Sequence, residues 1–250
     1  MAETIEYQSG IIMDTLQHEV TRRLGADVWE LLTKDIGVPD FKTDGEQGCA
    51  VTRELMKRLD AVADNETKKD ILSHVRHGLK PEQFGWARRK FIACGQNIDR
   101  FIAQNYRDDV ENFIRLRDTG EDFYGQPITP EVFDFIMETG IVTDQVRHGA
   151  DIRITGFPFD MIRYIQETDE RKKRYYACHC PFARESILAE EGLVSTTICY
   201  CSLGHAKLMW EAVLDTELDG EIVESVLGGD LLCKYVLHLT EDVMDRYLRE

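Results

Sequence analysis

Apolar residues recur at steps of three and four near the start of the chain: Ile11, Ile12, Leu16, Val20, Leu24, Val28, Leu31 and Leu32. That period draws one stripe along a helix, and the stripe must be buried against other elements. Gly37-Val38-Pro39-Asp40 and Thr43-Asp44-Gly45 then break the chain. Helical patterning resumes over residues 51–62 and 68–79. Pro81 suits the first position of a further helix carrying Phe84, Trp86 and Phe91. The pattern continues through Phe101-Ile102 and Phe113-Ile114, and residues 130–138 make one more short helix. Trp29, Trp86 and Trp210 lie on apolar stripes and read as core.

Near residue 150 the period changes. Asp151-Ile152-Arg153-Ile154-Thr155 alternates polar and apolar, as a half-buried strand does. Tyr175-Tyr176-Ala177-Cys178 reads as another strand. Residues 181–190 begin a helix at Pro181, with Gly192 as its stop. Residues 203–214 form a helix with Leu203, Ala206, Trp210 and Val213 on one side. Residues 221–227 and 231–239 read as two strands around the turn Gly228-Gly229-Asp230, and residues 241–249 as a last helix. The expected class is α+β: a helical region over residues 1–145, then a cysteine-rich α+β domain over residues 150–250, with a small antiparallel sheet and packed helices.

Charge narrows the function classes. Acidic residues outnumber basic ones 46 to 30, for a net charge of −16. Binding to phosphate backbones is driven by Lys and Arg, so nucleic acid is not an expected partner. The one dense basic run, Arg171-Lys172-Lys173-Arg174, reads as a solvated edge before a strand. No apolar run approaches the roughly 18 residues of a membrane helix. Residues 1–6 carry neither a basic start nor an apolar stretch, so a secretory signal is not expected there. The expected location is the cytoplasm, where the seven cysteines stay reduced. An odd count with Cys-x-Cys spacing suits metal or thiol chemistry better than a disulfide framework.

The chemistry-bearing residues concentrate between residues 178 and 233. Two pairs, Cys178-His179-Cys180 and Cys199-Tyr200-Cys201, are followed by His205 and Cys233. Thiolates and imidazoles are preferred ligands of zinc. Cys178 and Cys180 point together only if their segment is extended. Cys180 has a second reading, as a nucleophile. It precedes Pro181 at the start of the expected helix, with Arg184 one turn on, and both features favour a thiolate. Cys233 lies on the second hairpin strand. A three-residue turn places Ser225 opposite it, and a two-residue turn places Glu224 there, where a carboxylate would join a metal site. His74 and His77 share a helix face and read as surface histidines. Cys49 and Cys94 read as core or capping residues. There is no GxGxxG, P-loop lysine or HExxH.

Two stretches carry a family resemblance. Cys199-Tyr200-Cys201-Ser202-Leu203-Gly204-His205, followed by a helix and then Glu224-Ser225-Val226-Leu227-Gly228-Gly229-Asp230-Leu231-Leu232-Cys233, resembles the 4-vinyl reductase-like small-molecule-binding domain. It is also similar to the related hydrolases of 2-amino-thiazoline-4-carboxylate, whose branch the Cys-Pro-Phe of residues 180–182 resembles. The resemblance covers about residues 150–240, and the Gly-Gly-Asp-x-x-Cys hairpin is its most specific part. It implies a module that encloses a small molecule and often forms homodimers. In the phenol-sensing members it implies a structural zinc. Carried over, that zinc's ligands fall on Cys199 or Cys201 and on Cys233. Glu221 or Glu224 would supply the carboxylate. The remaining thiolate position falls on Ser225, a poor zinc ligand, so Cys178 or Cys180 would have to replace it.

Three functions are therefore expected in competition. One is a hydrolase of a small sulfur- or nitrogen-containing compound, using Cys180 or a metal. Another is a non-catalytic ligand-binding or sensor domain with a structural zinc. The third is a cysteine-rich metal-binding module with Cys178, Cys180, Cys199, Cys201, Cys233 and Glu224 as candidate ligands.

Overall fold

A computed structural model describes residues 9–40, 45–141 and 145–248. The expectations for residues 1–6, for Thr43 and Asp44, and for Arg249 lie outside these. The class is α+β, with helices first and the larger sheet later. The chain divides into two compact units: Met1–Lys80, His179–Leu208 and Leu227–Gly229 form the first, and Pro81–Cys178, Met209–Val226 and Asp230–Glu250 the second. Among the described residues no helix is long and apolar enough to cross a membrane.

The first unit opens with α1 (Ser9–Leu24), α2 (Ala26–Thr33), α3 (Gly45–Val62) and α4 (Asn65–Val75). The stripe of α1 buries Ile12, Met13, Leu16 and Val20, as its spacing requires. Arg23 on α1 ties it to α4, bonding Asp70 and, on its own helix, Glu19. Arg58 on α3 donates to the carbonyls of Leu32 (3.2 Å) and Lys34 (2.7 Å), satisfying the open end of α2. The carboxylate of Asp64 caps α4 through the Thr67 amide.

Beyond Val75 the chain does not continue as a helix to residue 79. Arg76, His77 and Gly78 all take left-handed conformations, at φ 52°, 53° and 76°. Each non-glycine residue there costs roughly 1–2 kcal/mol. At Gly78 a side chain would also strike Ile11, whose Cγ2 is 2.8 Å from a built Cβ. The turn carries His77 off the helix face it would otherwise share with His74. The two are therefore not a pair of surface histidines. His74 meets the Asp70 carboxylate at 3.2 Å and Arg23 at 3.0 Å, while His77 packs against α10 (Tyr200–Leu214).

The stretch from residue 181 is not the expected α-helix. Residues 181–183 form a turn, and Arg184–Ile187 is a single 3₁₀ turn. The amides of Ala183 and Arg184 both donate to the Cys180 carbonyl. The buried Ser186 hydroxyl donates to the Ala183 carbonyl at 2.6 Å and accepts from the Val194 amide at 3.1 Å. A side chain that competes for backbone groups in this way stops helix propagation and pins the returning chain.

In the second unit, α5 (Gly85–Ala93) follows a 3₁₀ turn at Pro81–Phe84, and α6 (Ile98–Thr119) begins at an Asn97 cap. Cys94 ends α5, and Gly95 follows at φ 74°. Trp86 is 45% exposed, so only Trp29 and Trp210 are core tryptophans. A short hairpin, β1 (Asp122–Phe123) and β2 (Gln126–Pro127), leads to α7 (Pro130–Thr139). Phe113, Leu116, Ile128, Val132, Ile136 and Met161 form one core cluster. The second sheet has β3 (Val146–His148), β4 (Asp151–Thr155), β5 (Asp219–Glu224) and β6 (Lys234–His238) in the antiparallel order β3-β4-β6-β5. α8 (Met161–Gln166) and α9 (Glu170–Ala177) follow β4, and α11 (Glu241–Tyr247) is the last helix among the described residues.

Residues 175–177 end α9 rather than form a strand. The Asp169 carboxylate caps the helix at the Lys172 amide, and the basic run 171–174 supplies good helix formers. That local preference outweighs the β-propensity of two tyrosines. The run is therefore a helix turn, with Lys173 over the Tyr164 ring at 5.2 Å.

One close approach organises the first unit. A Cβ built at Gly204 on α10 would lie 2.6 Å from the Ser73 carbonyl carbon and 2.9 Å from its Cα. Only glycine permits α10 and α4 to touch there. Gly204→Ala is expected to destabilise the protein by about 3 kcal/mol or more, measured by denaturant unfolding. Gly10→Ala, where the added methyl meets open space, should be neutral or gain up to about 1 kcal/mol.

Candidate functional site: a thiol and imidazole cluster

The α4–α10 contact and the left-handed turn together bring His77 beside His205. Their rings stack with centroids 4.7 Å apart and planes 22° from parallel. Cys201 precedes His205 by one helical turn, on the same face of α10. Its sulfur receives a hydrogen bond from the His77 backbone. His179, exposed in the segment before the 181–183 turn, is near enough to repel a charge on either stacked ring. All four residues belong to the first unit.

A second network holds the entry to α10. Asp60 on α3 accepts hydrogen bonds from Lys68 (2.9 Å), Ser195 (2.7 Å) and Thr197 (2.7 Å). Burial works against its charge, but the Ser195 hydroxyl, the Lys68 ammonium and the Thr197 hydroxyl together hold its carboxyl below the ordinary range. Ser195 caps the 3₁₀ turn Thr196–Cys199 that leads into α10. The buried Cys49 thiol on α3 reaches the Phe182 carbonyl at 3.6 Å and fastens the turn after Cys180. Cys49 is thus a core thiol.

Burial sets the protonation of the cluster. It lowers His77 to about 3, with His205 and His179 adding like-charge repulsion. It lowers His205 to about 4, with His179 adding to the effect. It raises the Cys201 thiol to about 12. At neutral pH the two stacked imidazoles are uncharged and the Cys201 sulfur carries its proton.

The sequence-derived candidates distribute as follows. Cys180, Cys199 and Cys201 belong to the first unit, and Cys178, Cys233 and Glu224 to the second. Cys180 is half-buried, but the helix N-terminus expected to stabilise its thiolate is absent, because a 3₁₀ turn replaces that helix. Cys178 is buried at the end of α9, its amide bonded to the Arg174 carbonyl. Neither expected hairpin register occurs. Glu224 pairs with Lys234 across a bulge, and Cys233 lies outside the strands. The Asp230 carboxylate takes the Ser225 amide at 2.8 Å, and the Asp230 amide returns a bond to the Ser225 carbonyl. This side-chain closure makes a wide loop instead of a two- or three-residue turn. The Glu224 carboxylate meets the Lys234 ammonium at 3.1 Å. Burial raises the Cys233 thiol, against hydrogen bonds from the Val226 backbone and Tyr235.

Among the described residues, no three His, Cys, Asp or Glu side chains stand as a ready metal-ligand group. His77 is the cluster member that sequence reasoning missed. Cys201 and His205 show their i, i+4 spacing openly, but nothing in the sequence announces consecutive left-handed residues at Arg76 and His77. Comparison with known proteins finds no matching family model, no matching curated protein and no matching solved structure.

Two measurements check this geometry. Cys49 and Cys201 should resist a neutral thiol reagent until the protein is unfolded, whereas Cys180 and Cys199 react in the native state; mass mapping of the labelled sites reads the order. Acid should also weaken the fold. Above pH 6.5 both histidines are neutral, folded or unfolded. As pH falls from 6.5 toward 4, the unfolded chain takes up protons that the folded state refuses. Stability should drop by at most about 1.4 kcal/mol per pH unit per histidine, and His205→Phe should remove part of that slope in denaturant melts.

Proposed function

We propose that this chain is a small-molecule-binding protein whose site is the thiol and imidazole cluster of the first unit, and that its reaction is hydrolysis of a small sulfur- or nitrogen-containing compound. The observation that carries this reading is the stacking of His77 on His205 beside Cys201, with His179 near enough to act on both rings. The similarity of residues 199–205 and 224–233 to the 2-amino-thiazoline-4-carboxylate hydrolases supports the substrate class. Cys180 is the thiol for covalent chemistry, being half-buried where Cys201 and Cys49 are buried. Among the described residues no disulfide joins two cysteines, which accords with a reducing, cytoplasmic location, and the same resemblance supports a homodimer.

A second reading, non-catalytic ligand binding, is favoured by one observation. Imidazoles that titrate near 3 and 4 are poor proton exchangers at neutral pH. They still offer neutral nitrogen donors and acceptors to a bound molecule.

Incubation with 2-amino-thiazoline-4-carboxylate tests both, because opening the ring frees a thiol that a colorimetric reagent detects. Turnover is expected, falling by about a hundredfold or more in Cys180→Ser. Binding by calorimetry without turnover would leave the non-catalytic reading standing. Neither binding nor turnover with thiazoline and thiazolidine carboxylates would overturn the assignment.

A further inference from the structure

In the second unit, α6 carries Arg100, Ala103, Gln104 and Arg107 at steps of three and four, so these side chains share one helix face. That face borders an open groove of about 480 Å³, whose other wall is the end of α5 and the turn after it, with Ala93, Cys94 and Gly95. Left-handed backbone at Gly95 (φ 74°) and Gln96 (φ 54°) shapes the turn. The carboxylates next in sequence to the two arginines are engaged by other groups. Asp99 accepts two hydrogen bonds of 2.7 Å from Arg147. Asp108 meets the Lys90 ammonium at 2.7 Å and accepts from the Gln104 side-chain amide at 2.6 Å. Gln104 in turn accepts from Arg107 Nη2 at 2.6 Å, so a chain from Lys90 through Asp108 and Gln104 positions that guanidinium. The Arg100 guanidinium lies over the turn, its Nη1 3.5 Å from a Cβ built at Gly95. Among the described residues neither arginine meets a carboxylate within ion-pair distance, and Arg100 donates no side-chain hydrogen bond.

We propose that this groove binds a small aliphatic dicarboxylate, with one carboxylate on Arg100 and the other on Arg107. The site belongs wholly to the second unit and does not depend on the reading of the first-unit cluster. Seven residues at about 1.5 Å each put the two Cα atoms roughly 10 Å apart along α6. That spacing suits two separate acidic heads better than one compact anion. A guanidinium presents a planar fork that matches a carboxylate with two parallel hydrogen bonds. Arg107 bonds Gln104 through one nitrogen and keeps its other N–H groups for a ligand. Ala103 lies between the two arginines on the helix face, where a short hydrocarbon link can rest. One exposed charge pair contributes little in water, so affinity comes from engaging both heads of one molecule at once. Cys94 is a half-buried thiol on the groove wall, and a molecule seated there would block access to it.

Calorimetric titration of the full-length protein with glutarate at low ionic strength tests the proposal. Saturable binding is expected with a Kd on the order of 1 mM or tighter, weakening as salt is raised. Arg100→Ala and Arg107→Ala should each weaken it about tenfold or more. Both residues are exposed, and unchanged urea midpoints will show that the variants keep the fold. Butyrate, with a single carboxylate, and inorganic phosphate should each bind at least about tenfold more weakly than glutarate. In the unaltered protein glutarate should also slow alkylation of Cys94 by iodoacetamide, read by mass mapping, while the rate at Cys199 stays the same. No saturation by about 10 mM glutarate, affinity retained in both arginine variants, no protection of Cys94, or phosphate or butyrate binding as tightly as glutarate would each overturn the proposal.

Discussion

The first unit depends on a backbone contact between two helices. At Gly204 α10 lies directly on the Ser73 peptide of α4, closer than any side chain allows. From this one approach follow the stacking of His205 on His77 and the bond between the His77 backbone and the Cys201 sulfur. The left-handed turn at Arg76, His77 and Gly78 is the other half of the same device, since it redirects the chain as α4 ends. Backbone strain of this kind persists only where the surroundings over-determine it. Here the surroundings are Ile11 against Gly78 and α10 against α4.

The thiols of the first unit then differ by environment rather than by identity. Cys49 and Cys201 are buried and hard to ionise, while Cys180 and Cys199 are half-buried in short turns. The Asp60 network positions the entry to α10 from α3, using one carboxylate to collect two hydroxyls and an ammonium. Removing that carboxylate would leave the mostly buried Lys68 without this ion pair, which is why such a network binds segments distant in sequence more firmly than an exposed salt bridge does. In the second unit the equivalent fastening is Asp230, which closes the loop from Ser225 and holds Cys233 outside the sheet.

Much of the framework was legible from residue pattern. The apolar stripe of α1, the alternation of β4 and the α+β class all follow from periodicity, because burial of one face is a local demand repeated along the element. Three departures arose where a single polar side chain redirected the backbone. Asp169 capped a helix over residues that look like a strand. The Ser186 hydroxyl halts the helix that Pro181 would begin. Asp230 widened a turn whose two glycines suggested a tight hairpin. In each case one hydrogen bond to a backbone amide outcompeted intrinsic propensity, which is a weak preference per residue.

By itself the sequence determined the class of fold, the acidic character of the chain, and the residue types able to do chemistry. It also showed Cys201 and His205 four residues apart. Only the tertiary structure decided which of those residues meet. His77 joins them through left-handed backbone and a glycine-dependent helix crossing, and both belong to pairs of segments far apart in the chain. Cys233 and Glu224 are set by an unforeseen loop closure and strand bulge. Pattern reports what each element must bury, whereas the site depends on where unrelated elements touch, and that is settled by packing and by the few backbone groups that side chains capture.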